Sequence, residues 1–183
     1  MPVAESVDVG TIAQAYLKEF ETQAPITRRY LERLPEDKLT WKPHEKSMTA
    51  GQLALHIASV PGRIVGFVQA NPGQVPKSFV AAQPASLKEI LIAFDECLAA
   101  VRSELPKFPD EAMREIWRLQ SGETTVLEQP RGDFLRDVML SHIYQHRGQL
   151  SVYLRMLELP VPASWGPSGD EPPLFAQKKP ATV

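Results

Sequence analysis

The sequence predicts an all-α protein that folds as a four-helix bundle. Prolines give the first indication: a proline in a helix interior costs about 3 kcal/mol, and all but two of the 17 prolines fall outside four long segments. Within these segments apolar residues recur at intervals of three and four, as on the buried face of a helix. The predicted helices cover residues 9–34, 48–70, 86–105 and 132–158.

The first two helices each contain one internal proline. The first lies between Pro2 and Pro35 and contains Pro25. The second contains Pro61, and Ser47 or Thr49 can cap its first turn by accepting a backbone hydrogen bond. Four amphipathic segments of this length favour a four-helix bundle over other helical folds.

The third and fourth helices have clearer starting signals. Residues 86–89, Ser-Leu-Lys-Glu, match a capping box. Asp133 can begin the fourth helix, where its charge lies near the positive end of the helix dipole. The buried stripe predicted for the third helix consists of Ile90, Phe94, Cys97, Val101 and Leu105.

The connection between the third and fourth helices has a different character. The stretch "EIWRLQSGETTVLEQPRGD" contains two β-favouring runs, 116–119 and 124–127, around a Ser-Gly pair, which predicts a small hairpin or an irregular loop. From Pro160 onward the chain is too rich in proline for helix. We therefore expect a bundle domain over residues 1–160 and a proline-rich C-terminal tail over 161–183.

Composition narrows the class of protein. The formal charge is −2 and no run of Lys and Arg exceeds two residues, which argues against a nucleic-acid partner. Cys97 is the single cysteine, so an internal disulfide is excluded. The first ten residues lack the basic and apolar regions of a signal peptide, and no apolar run has membrane-spanning length. These features predict a cytoplasmic protein without a membrane partner.

Two of the four histidines lie one helical turn apart. In "LSHIYQHRGQL", His142 and His146 are four residues apart and are predicted to occupy the middle of the apolar stripe of the fourth helix. His56 is predicted on an inward face of the second helix, whereas His44 reads as a loop residue. The three inward rings are either separately hydrogen-bonded core histidines or the ligands of one metal ion.

The residues around the histidines exclude two common metal motifs. A zincin helix has Glu directly after its first histidine, and that position is Ile143. Di-iron bundles have Glu three residues before an inward histidine, and Met139 stands there before His142. A metal site here would therefore be mononuclear, with nitrogen ligands alone and positions open to water or substrate.

Three stretches carry a family resemblance: "WKPHEKSMTAGQLALHIA", "HIYQHRGQLSVYLRMLELPVP" and "WGPSGDE". In this order they resemble the DinB/YfiT-like family of metal-binding four-helix bundles. The resemblance implies that His56, His142 and His146 bind one divalent ion, commonly nickel or zinc, and that the protein is a homodimer. Trp165 stands where the family often has Tyr, and Gly169 where Ala is common.

The resemblance also suggests a reaction, because some relatives transfer groups to low-molecular-weight thiols such as bacillithiol, mycothiol or glutathione. A thiol bound to an open divalent site is deprotonated, so no protein cysteine is needed as nucleophile. Cys97 is accordingly expected to be inert core. The alternatives are a metal-dependent hydrolase and a non-catalytic metal-binding stress-response protein.

Five further positions could have a role at the predicted site. Gln149 either bonds a ligand imidazole or metal-bound water, or is a helix contact. Tyr153 is expected in the core, and Arg147 is expected to pack or pair at the bundle edge. Asp170 and Glu171 either fold over the mouth of the site or belong to a solvated tail.

Overall fold

A computed structural model describes residues 10–78 and 82–177 of the chain. The chain is mostly helical, as predicted, and α1 and α2 continue through Pro25 and Pro61. In chain order the helices are α1 (Thr11–Leu31), α2 (Ala50–Phe67), α3 (Leu87–Glu104), α4 (Asp110–Arg114), α5 (Arg131–Leu135), a π-helical segment (Arg136–Ser141) and α6 (His142–Met156). Single 3-10 turns occupy Glu36–Lys38, Leu105–Lys107 and Leu174–Ala176.

Each of the long helices α1, α2, α3 and α6 packs against two of the others. Helix α2 lies against α3 and α6, and α1 also lies against α3 and α6. Helices α2 and α3 lie close together at Gly62, where a Cβ would lie 3.0 Å from the Cα of Cys97. The predicted stripe of α3 is confirmed, because Ile90, Phe94, Cys97 and Val101 are all buried.

The predicted helix caps are confirmed at Thr49 and confirmed in part at Ser86. The Thr49 hydroxyl accepts from the Gln52 N–H at 3.1 Å, and the Gln52 side chain accepts from the Thr49 N–H at 3.0 Å. Ser86 accepts from the Glu89 N–H at 3.2 Å, but the Glu89 carboxylate accepts from Ala85 rather than from Ser86. The second bond of the capping box is therefore shifted by one residue.

A three-stranded sheet adds to the mostly helical fold, and two of its strands confirm the hairpin that was one of the two predictions for the connection between the third and fourth helices. The hairpin consists of β2 (Ile116–Ser121) and antiparallel β3 (Thr124–Pro130), and β1 (Gly73–Gln74) pairs parallel to β2. Gly122 lies between β2 and β3 with a φ of 62°, a conformation that glycine adopts without strain. The two-residue strand β1 has no alternating apolar pattern of its own, so it forms only because β2 offers a paired edge.

Trp117 anchors the sheet to the helices. Its side chain is fully buried, and its indole N–H donates to the Ala70 carbonyl at 2.7 Å. The ring packs against Phe67 and Phe134, with centroid distances of 5.6 and 4.4 Å. The sheet is therefore attached to the end of α2 and to α5.

The fourth helix begins earlier than predicted and is irregular. Its first residue is Arg131 rather than Asp133, and it passes through the π-helical segment before α6 starts at His142. A π-helical turn holds more residues than an α-helical turn. Angles counted from Leu135 at 100° per residue are therefore wrong across this segment, although the spacing of His142 and His146 within α6 is unaffected.

The C-terminal tail packs against α1 and α6. The Tyr30 hydroxyl donates to the Pro162 carbonyl at 2.8 Å, and Asp170 pairs with Arg155 at 2.5 Å. Glu171 binds Arg29 and Arg33 of α1. Both readings of Asp170 and Glu171 were thus wrong, because these carboxylates neither cover the histidines nor lie free in solvent.

None of the helices within residues 10–78 and 82–177 is both long enough and apolar enough to span a bilayer.

Candidate metal centre

The structure brings His56 of α2 together with His142 and His146 of α6. The ring centroids are 5.1 Å apart for His56 and His142, 4.7 Å for His56 and His146, and 4.3 Å for His142 and His146. One potential ligand atom from each residue lies within 4.8 Å of the other two. The cluster contains no carboxylate or thiol, so these three rings are a nitrogen-only donor set.

All three histidines are half-buried and lie at the edge of the helical interface. The centres of the buried faces are instead occupied by residues such as Ile57 of α2 and Ile143 and Leu150 of α6. The prediction that the histidines occupy the middle of the apolar stripe is therefore wrong. Their edge position leaves each residue partly exposed, although Nε2 of His56 and Nδ1 of His142 are buried.

Burial keeps His56 and His142 neutral. The pKa of His56 is lowered from 6.5 to about 4, mainly by burial and then by the neighbouring His146, His142 and Arg63 in that order. Burial is also the main cause that lowers the pKa of His142, followed by His146. Neutral imidazole is the form that binds metal, so these two rings could bind an ion at neutral pH without first losing a proton.

Within residues 10–78 and 82–177, two ring nitrogens are buried without a hydrogen bond, Nε2 of His56 and Nδ1 of His142. Nε2 of His56 has no partner among the described residues, although its ring faces both other histidines. A buried polar atom without a partner costs on the order of 1–3 kcal/mol. A bound cation would supply the partner that Nε2 of His56 lacks, so the donor set fits a metal ion.

Gln149 bonds the outer nitrogen of His146. Its Oε1 lies 2.6 Å from His146 Nδ1, while His146 Nε2 lies 2.8 Å from His142 Nε2. A carboxamide oxygen only accepts, so this arrangement places the proton on His146 Nδ1 and leaves a lone pair on Nε2. Gln149 itself is exposed.

His44 and Cys97 lie outside the site, as predicted. The exposed His44 accepts from the Lys46 N–H through its own Nδ1 at 3.2 Å. Cys97 is 4% exposed, and burial raises the pKa of its thiol to about 11. The Cys97 sulfur accepts from the Gly62 N–H at 3.1 Å, so its environment is that of a core residue.

Tyr153 and Arg147 have structural partners. Tyr153 donates to the Met48 carbonyl at 3.2 Å and packs edge-on against Trp41. Arg147 donates to Gln23 at 2.8 Å, and its guanidinium lies 5.4 Å from the centre of the Tyr144 ring. Both side chains therefore connect helices and loops beside the site rather than entering it.

Arg63 was not predicted from the sequence to influence the site, although its charge contributes to lowering the pKa of His56. This residue lies seven positions after His56 in α2 and is exposed. Seven residues are two helical turns, so the spacing alone could have placed it on the same face as His56.

Comparison with known proteins identifies the family of this chain. The model of the DinB family matches residues 6–170. The chain belongs to the DinB family. An uncharacterized protein, YrdA of Bacillus subtilis strain 168, is 24% identical over 169 residues, which cover 90% of this chain and 95% of YrdA.

Two solved DinB-like structures share the fold. A DinB-like protein from Bacillus cereus ATCC 10987 superposes with a TM-score of 0.63 at 22% identity, covering 82% of this chain and 96% of that protein. The DinB-like protein YjoA of Bacillus subtilis gives a TM-score of 0.55 at 20% identity, covering 79% and 94%. Likeness at this identity establishes the fold alone.

Proposed function

We propose that His56, His142 and His146 bind one divalent metal ion, nickel or zinc, and that the loaded protein is a transferase acting on a low-molecular-weight thiol. The observation that supports the metal site is the convergence of three ring nitrogens from two helices to within 4.8 Å, without a carboxylate or thiol among them. Three protein ligands leave coordination positions free for a small molecule.

The residues of the chain prepare this site in three ways. Burial keeps His56 and His142 neutral. The bond from His146 to Gln149 holds one tautomer of that ring. The half-buried position of the cluster leaves part of it open to solvent. A divalent ion held there would lower the pKa of a bound thiol enough to supply a thiolate at neutral pH.

A thiol reaction is favoured over hydrolysis by what surrounds the histidines. Ile143, which follows His142, is 4% exposed and packs in the core, so the position of a zincin general base holds an apolar side chain. The only cysteine has a pKa of about 11 and is buried, so a thiolate nucleophile would have to come from the substrate. Hydrolysis and metal storage without turnover are the competing outcomes of the test.

The metal site is tested by elemental analysis of untagged protein and of single alanine variants. His56→Ala, His142→Ala and His146→Ala should each lose most of the bound metal, while His44→Ala should retain it. Equal loss in His44→Ala would refute the assignment.

The thiol reaction is tested on the cobalt-loaded protein with glutathione, bacillithiol and mycothiol. Binding of a thiol should produce a sulfur-to-cobalt charge-transfer band, and the thiol that binds should support transfer to an electrophile. A cobalt-loaded protein whose spectrum no thiol changes would refute the transferase and favour the competing outcomes.

Two further proposals rest on family membership. We propose that α1, α2, α3 and the helix from α5 to α6 form the four-helix bundle of DinB proteins, which their mutual packing supports. We also propose a homodimer in the cytoplasm, with a small molecule rather than nucleic acid as ligand. Sedimentation equilibrium tests the dimer.

A further inference from the structure

We propose that the substrate of the three-histidine site carries a carboxylate, and that Arg63 binds this group. The inference rests on the proposed metal site and adds to it the chemical class of the substrate. Its basis is the placement of Arg63 relative to His56 and the balance of charge around the cluster.

Arg63 lies on the same face of α2 as His56. At 100° per residue, seven residues return to within about 20° of the starting direction, and the rise along the axis is about 10 Å. Side chains on a helix lean toward its N-terminus, so Arg63 leans toward His56 rather than away from it. A small substrate held at the histidines can therefore extend along α2 to the exposed guanidinium.

Arg63 has no carboxylate partner of its own. None of the ion pairs among residues 10–78 and 82–177 includes it. Several arginines on the other long helices are paired with carboxylates, for example Arg28 with Asp95 and Arg102 with Glu21. Arg147 instead bonds the neutral Gln23. The guanidinium of Arg63 is therefore available to a ligand, and guanidinium binds carboxylates in a planar, two-pronged arrangement.

The local charges favour an anion. The ionisable groups that act on His56 are His146, His142 and Arg63, and no carboxylate is among them. The ionisable group that lowers the pKa of His142 is His146. A divalent ion held by neutral imidazoles keeps its full charge, and Arg63 adds another positive charge on the same side. A substrate with an anionic group at one end and a metal-binding group at the other complements this arrangement.

The test compares a thiol acid with the matching thiol alcohol. Cobalt-loaded protein is titrated with mercaptohexanoic acid and with mercaptohexanol, and each dissociation constant is read from the sulfur-to-cobalt band. The same titrations are made on Arg63→Gln and on Arg102→Gln. Arg102 is an exposed arginine of α3, and its replacement changes the net charge equally.

The wild-type protein should bind the acid about three to five times more tightly than the alcohol, because exposed ion pairs rarely contribute more. Arg63→Gln should lose this preference, and Arg102→Gln should keep it. Equal binding of acid and alcohol by the wild type, or an equal loss in both variants, would overturn the role of Arg63 and leave the metal site standing. Failure of cobalt to bind would overturn the metal site as well, and cobalt that binds neither thiol would also overturn this proposal.

Discussion

Replacing Gln149 by Met should weaken metal binding without unfolding the protein. The Gln149 oxygen lies 2.6 Å from His146 Nδ1, a short distance for a hydrogen bond to a ring nitrogen. Methionine is similar in length and shape but cannot accept this bond strongly, so the proton is free to move to His146 Nε2 and the lone pair needed for the metal is lost. Loss of such an outer partner typically costs about 10–100-fold in metal affinity.

The affinity is measured by competition with a chromophoric chelator, using zinc at fixed pH. Gln145→Met is the matched control, because Gln145 is an exposed glutamine of the same helix, beside His146 in the sequence. Nitrogen-15 NMR of the imidazoles gives a second readout: the Nδ1–H form of His146 should be the main tautomer in the metal-free wild type and should decline in Gln149→Met. If Gln149→Met binds zinc within twofold of Gln145→Met, the bond to Gln149 does not prepare the site.

Three other outcomes are expected. The pKa of His56 is about 4 in the folded protein and 6.5 when unperturbed, so between these values protons bind mainly to the unfolded chain. The free energy of unfolding of the metal-free protein, measured by urea titration, should therefore fall by about 2 kcal/mol from pH 7 to pH 4. The fall should be smaller in His56→Asn. Cys97→Ser should lower the free energy of unfolding by about 1–3 kcal/mol, because the thiol is buried. The variant should retain its metal content and any metal-dependent rate, because Cys97 lies away from the histidines. A folded, metal-loaded variant without the wild-type rate would contradict this. Trp117→Ala should cost about 3–5 kcal/mol, whereas Trp165→Ala, at a site 57% exposed, should stay within about 0.5 kcal/mol, and similar losses in urea would refute the anchoring role of Trp117.

The sequence by itself determined the features that depend only on residues close together along the chain. Spacing of four placed His142 and His146 on one side of a helix, whatever the helix packs against. The Thr49 cap and the Ser-Gly turn of the hairpin are also set by a few consecutive residues, whose side chains and backbone torsions favour one local conformation. The burial of the stripe from Ile90 to Val101 was also predicted correctly, because apolar residues at helical spacing form a face that packs against another part of the protein.

Only the tertiary structure decided how these elements meet. The distance from His56 to the α6 histidines depends on the contact between α2 and α6, and the π-helical segment before His142 alters the angles that a regular helix would give. The same packing placed the histidines at the edge of the interface rather than at its centre. Strand β1 pairs with another strand, and Asp170 and Glu171 pair with arginines, that lie in other parts of the sequence. Local sequence patterns do not predict such partners, because these contacts stabilise the protein only once distant segments have been brought together.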